Sequence, residues 1–156
     1  MVEQTKISIT LQDNSLVIMS FVTNDFRGIE REANEKNINA EILKAGFDAK
    51  SWRIIQDADI IQDRTFRNAW KDTGNKLEVD MPKAREIHRN NLREKRAERL
   101  SQLDVDYLKA DEIGDTVKKN EIKKAKQALR DITTHHSIEA ATTPEELKNL
   151  TLDSLL

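Results

Sequence analysis

From Lys83 to Ile113 the chain contains neither glycine nor proline, and this uninterrupted run constrains the fold more than any other feature of the sequence. Asp80 stands where an N-cap would, Pro82 fits a first helical turn, and Gly114 marks the place where such a helix stops. The run predicts one long helix, or two in series. Ala84, Ile87, Leu92, Ala97, Leu100 and Leu103 form only a thin apolar stripe among charged residues, so this helix buries little by itself. Beyond Asp115, a candidate cap, Ile122, Ala125, Leu129 and Ile132 recur at amphipathic spacing and supply a second helix. The two are expected to form a helical hairpin held by Ile87, Leu100 and Leu103 on one arm and Ile122, Leu129 and Ile132 on the other.

The residues before this run follow different rules. Ile7, Ile9 and Leu11 alternate with Ser8 and Thr10, the period of a half-buried strand that turns one face toward a core. Gln12 to Ser15 is turn chemistry, and Leu16 to Val22 is a β-branched, apolar run, so the two segments predict a β-hairpin with a four-residue connection. A helix is expected over about 29–45, with Ile29, Ala33, Ala40 and Leu43 near one face and Gly46 past its end. Trp52 to Ile55 could add a strand. Lys71 to Lys76 is a turn cluster before the short alternating Leu77-Glu78-Val79. After the helical hairpin, Thr133 to His136 reads as a polar loop, and Thr143-Pro144-Glu145-Glu146 opens a short helix over about 144–150. The apolar end, Leu150 to Leu156, is expected to dock on its own chain or a neighbour. The fold class is therefore α+β: a small unit over 1–72, with a β-hairpin and a helix, and a charged helical hairpin with a short C-terminal helix over 80–156.

Composition narrows the function. The 156 residues include 26 basic and 28 acidic side chains, a formal charge of −2, and no cysteine. Disulfides, thiolate metal sites and cysteine nucleophiles are excluded, and the overall charge gives no general attraction to nucleic acid or anionic membrane. Leu16 to Val22 is the longest apolar run and is far short of the roughly 20 residues of a membrane span. With no basic, apolar leader at its start, the chain is expected to be made in the cytoplasm.

Chemistry-bearing motifs are absent. His88, His135 and His136 lie at no recognised metal-ligand spacing, and no phosphate loop, dinucleotide fingerprint or nucleophile elbow can be built from four scattered glycines. Acid pairs such as Asp57/Asp59 and Asp104/Asp106 sit where capping and solubility explain them. Neither an enzyme nor a cofactor or metal is expected. Over 83–99 the cations Lys83, Arg85, Arg89, Arg93, Lys95, Arg96 and Arg99 outnumber Glu86, Glu94 and Glu98. Such a helix could lie along phosphates, but no aromatic residue is interleaved for stacking, and the acids among the bases suggest a solvated, salt-bridged face. The densest information is Asp63-Arg64-Thr65-Phe66-Arg67-Asn68-Ala69-Trp70. At i, i+4 its two rings would share a helical face, either capping the core of the first unit or, with Arg67, anchoring another subunit. Phe66, Arg67 and Trp70 are the candidate partner-binding residues.

That octet, with Asp80-Met81-Pro82-Lys83-Ala84-Arg85-Glu86-Ile87, Leu103-Asp104 and Lys126-Gln127-Ala128-Leu129-Arg130-Asp131-Ile132, resembles a family of short tailed-bacteriophage proteins related to tail and tail-fibre assembly proteins. The resemblance covers about 63–132. Many of those proteins have a Trp soon after Leu-Asp, where this chain has Val105-Asp106-Tyr107. The resemblance implies a non-enzymatic protein acting by contact with tail or tail-fibre polypeptides. It would be a structural part of the virion tail, as a homo-oligomer or in multiple copies in a symmetric assembly. The alternatives are a transient assembly chaperone not retained in the particle and a small nucleic-acid-binding protein using the 83–99 helix.

Overall fold

The computed structural model describes residues 3–25 and 27–156. Two compact units divide the chain between Asp80 and Met81.

In the first unit the expected hairpin forms from β1 (Glu3–Leu11) and β2 (Leu16–Asn24). A third strand, β3 (Ala49–Ile55), pairs antiparallel with the other edge of β1, so the sheet order is β2-β1-β3 and the first strand is central. One face of the sheet carries Ile7, Ile9 and Phe21 and is covered by the helix α1 (Glu35–Lys44) through Ile38 and Ile42. This is the main core. The helix is shorter than the expected 29–45 and uses a different face. Asp25 Oδ1 accepts the N–H groups of Arg27 and Ile29 and holds that segment in a turn, while the Asn34 side chain caps the true start by accepting from the Asn37 N–H. Ile29 and Leu43, expected on the inner face, are 50% and 79% exposed.

Because side chains alternate across a strand, Lys6 and Ser8 belong to the opposite face of β1. That face is also covered, so the strand expected to be half-buried is buried on both sides here: Ser8 is only 1% exposed. The cover is a second, two-stranded hairpin, β4 (Trp70–Asp72) with β5 (Leu77–Val79). Ser8 Oγ donates to Asp72 Oδ2, and Arg53, opposite Ser8 in the register, donates from Nε to both Asp72 oxygens at 2.9 and 2.8 Å. The Gly74 N–H adds a third donor at 2.8 Å. Residues 73–80 thus belong with the first unit, and the Asp80 N–H donates to the Ala69 carbonyl at 2.7 Å.

In the second unit the glycine-free run is a single 32-residue helix, α2 (Met81–Glu112), about 48 Å long at 1.5 Å per residue. Gly114 turns the chain with φ +67°, and Asp115 caps α3 (Thr116–Asp131) by accepting from the Lys118 N–H. Ile122, Leu129 and Ile132 are buried in the hairpin, and Ile87, Leu100 and Leu103 are half-buried along α2. The expected polar loop, Thr133 to His136, contains the end of a 3-10 turn (Ile132–Thr134) and the start of a short helix, α4 (His136–Ala140), with the His135 side chain accepting from the Ser137 N–H. It is followed by α5 (Pro144–Asn149), whose Thr143–Glu146 capping box was legible in the sequence, and α6 (Leu152–Leu155). These elements return to α2: His88 Nε2 meets the Leu150 carbonyl at 2.9 Å and Arg85 donates to the Ala141 carbonyl at 2.9 Å. Among the described residues no helix is long and apolar enough to cross a membrane.

Three outcomes are expected. Both tryptophans lie in the first unit, so their fluorescence follows its unfolding separately. Asp72→Asn, which leaves the Arg53 charge without its partner, should cost about 3 kcal/mol in a urea melt read this way. Burial opposes the charge on Asp72, but the Ser8 hydroxyl, the Gly74 N–H and Arg53 together hold its carboxyl below the ordinary range. Its stabilisation is therefore complete above that range and lost as pH falls through the depressed value, a loss Asp72→Asn should remove. In the second unit burial pushes the His88 imidazole below its ordinary 6.5, against the raising effect of the Leu150 carbonyl and with help from Lys95 and Arg89. The stability of the helices, followed by circular dichroism, should fall as pH drops from 6.5 through the lowered value, and His88→Gln should flatten that dependence. Gly114→Ala should cost about 1 kcal/mol through its backbone angle alone, because a Cβ there meets no atom within 4 Å.

Candidate functional site

The octet that stood out in the sequence does not form the expected helix. Asp63 Oδ1 accepts from both the N–H and the hydroxyl of Thr65 and tightens the chain into a turn. Phe66 precedes a single 3-10 turn, Arg67–Ala69, and Trp70 opens β4 opposite Val79. The i, i+4 relation therefore places the two rings on no common helical face. Both go inward: Phe66 is 3% and Trp70 4% exposed. Of the three candidate partner-binding residues, Arg67 alone is exposed.

Burying Trp70 creates the site. On the second face of the sheet Lys6, Ile18, Ser20, Ile60, Arg64, Arg67 and Trp70 line a pocket of about 180 Å³. Lys6 and Ser20 are register partners on β1 and β2, and Lys6 Nζ donates to Ser20 Oγ at 2.7 Å. Ile18 is the partner of Ser8, so the same alternation that brings Ser8 to Asp72 brings Ile18 to this face. Arg64 and Arg67 arrive from the turn before β4. No carboxylate among the described residues stands within ion-pair distance of Lys6, Arg64 or Arg67, while eight other arginines of the chain make such a pair or donate to a backbone carbonyl. Trp70 Nε1, though buried, has no hydrogen-bond acceptor. An unmet buried N–H costs roughly 1–3 kcal/mol. The pocket thus combines three cations, without a carboxylate partner among the described residues, and two aliphatic walls.

The basic helix presents a different arrangement. Arg85 and Arg89 reach Glu139, Arg93 reaches Glu86, and Arg99 reaches Asp153. Arg96 Nη1 donates to the carbonyls of Leu129 and Arg130 at 3.0 and 2.6 Å, which satisfies the C-terminal end of α3 and suits its dipole. Most of the charge that distinguished 83–99 thus holds the second unit together. Leu103 and Leu129 also line, with Ala125 and Leu156, an apolar groove of about 320 Å³ flanked by Arg99 and Gln102. The rings of His135 and His136 stack with centroids 4.5 Å apart. Among the described residues no group of three or more His, Asp or Glu side chains is placed to hold a metal ion.

Sequence reading singled out Arg67 and Trp70 but missed Lys6, Ile18, Ser20 and Ile60, and gave Arg64 no role. The available signal was Arg64 beside Arg67 in one turn; Lys6 could be found only from strand register. No protein-family model, curated protein or solved structure matches the chain.

If Arg64 and Arg67 are kept for binding rather than stability, Arg64→Gln and Arg67→Gln together should leave the urea midpoint of the first unit unchanged or raise it slightly, by up to about 0.5 kcal/mol. A loss above about 1 kcal/mol would show that both serve the fold.

Proposed function

We propose that the chain is a non-enzymatic, tail-associated structural protein of a bacteriophage that docks to tail or tail-fibre subunits and is present in multiple copies in the virion. The observation that carries the docking is the cluster of Lys6, Arg64 and Arg67 beside Trp70, a surface with charge to offer and, among the described residues, no carboxylate within ion-pair distance. Support for the class of partner comes from the resemblance over 63–132, because its most distinctive octet supplies Arg64, Arg67 and Trp70 to that pocket. The engaged arginines of α2 give the nucleic-acid reading less support than its sequence did.

The test is quantitative mass spectrometry of phage particles purified from infected cells that make the chain, with copy number scaled to the major capsid protein. A fixed copy number matching the rotational symmetry of the tail is expected. Absence from particles, with recovery bound to a fibre polypeptide in the lysate, would replace the structural role with that of an assembly chaperone. Trp70→Ala is a poor probe of docking because Trp70 is part of the core, whereas Arg67→Glu should weaken particle association by about tenfold and Lys95→Ala should not.

A further inference from the structure

The chemistry of the pocket narrows what it can hold. Three cations with no carboxylate in ion-pair reach among the described residues call for an anion. Ile18 and Ile60 line the same pocket, so the anion must come attached to an apolar body. Its volume of about 180 Å³ is below the roughly 300–1,000 Å³ of small-molecule and cofactor sites and suits one side chain. At 4% exposure Trp70 offers no open ring face for stacking a base, which argues against a nucleotide.

We propose that this pocket takes the carboxylate of an acidic side chain, most suitably a glutamate, presented by a segment of a partner protein, with the aliphatic stem against Ile18 and Ile60. Arg64 and Arg67 supply planar, two-pronged donors to the carboxylate, and Lys6 adds its charge beside Trp70, whose indole lines the pocket and reports its occupation. The pairing is specific because a glutamine of the same shape lacks the charge that three cations demand. This inference deepens the docking reading above and rests on it.

The experiment is a nuclear magnetic resonance titration of the full chain. Its two tryptophans give two indole N–H signals, and Trp52, whose Nε1 donates to Asn39 Oδ1 at 2.6 Å, is the internal reference for an intact fold. The probes are the blocked peptide acetyl-Ala-Leu-Glu-Leu-Ala-amide, its Gln counterpart and inorganic phosphate. The Glu peptide should shift the Trp70 signal saturably and leave Trp52 in place, the Gln peptide should bind at least about tenfold more weakly, and Arg64→Gln or Arg67→Gln should weaken the Glu peptide by about tenfold. A Trp70 signal that ignores the Glu peptide, or answers Glu and Gln alike, would overturn the proposal. Tighter binding of phosphate than of the Glu peptide would overturn it in favour of a phosphate site. If the peptide fails while the chain is present in particles, the carboxylate assignment alone falls; if the peptide binds while the chain is absent from particles, the structural tail role falls alone.

Discussion

The architecture of the first unit depends on one carboxylate. Asp72 receives the Ser8 hydroxyl, the Arg53 guanidinium and the Gly74 N–H, and so ties the β4–β5 hairpin to the second face of the central strand. Without it a strand with alternating serine and threonine would have one dry and one wet face. With it both faces are covered, and the turn carrying Arg64 and Arg67 is set beside Lys6 and Ile18. A buried ion pair gives little net stability compared with apolar packing, but removing one partner is severe, so such a contact fixes a particular arrangement. Here the arrangement is the floor and wall of the pocket.

The helical unit solves a different problem with the same materials. A helix of 32 residues with four buried side chains relies on partners in its unit, where Ile122, Leu129, Ile132, Ile138, Leu147 and Leu152 are buried. Its arginines add directional contacts: Arg96 closes the end of α3, Arg85 and Arg89 meet the start of the returning segment, and Arg99 meets its end. Lys119 and Lys126 make the reciprocal contacts from α3 to Asp111 and Asp104 and share the ring of Tyr107 with Lys123. Many of the arginines in this unit are thus engaged internally, whereas among the described residues Lys6, Arg64 and Arg67 of the other unit have no carboxylate within ion-pair distance.

Where local rules decide, the sequence was legible. The first hairpin, the added third strand, the helical run ended by Gly114, the Asp115 cap and the Thr143–Glu146 box each follow from periodicity, turn chemistry or capping within a few residues, while that the run is one helix rather than two in series is shown by the structure. What was not legible depends on distant partners. Ser8 reads as the polar side of a half-buried strand until Asp72, sixty-four residues away, is brought to it. Phe66 and Trp70 have helical spacing, yet the turn at Asp63–Thr65 and the pairing of Trp70 with Val79 override it. The early helix was placed too far upstream because the Asp25 turn competes with helix initiation. Arg67 could be nominated from composition, but the convergence of Lys6 with it required the strand register.

The proposed partner contact lies on the second face of the small sheet, while the arginines of the basic helix are engaged within their own unit. Hydrogen–deuterium exchange of the chain, free and bound within purified tail particles, separates these roles most directly. Added protection on binding should fall on residues 60–70 and on β1 around Lys6, with 83–99 unchanged. Protection confined to 83–99, with the pocket exchanging as in the free chain, would contradict the account.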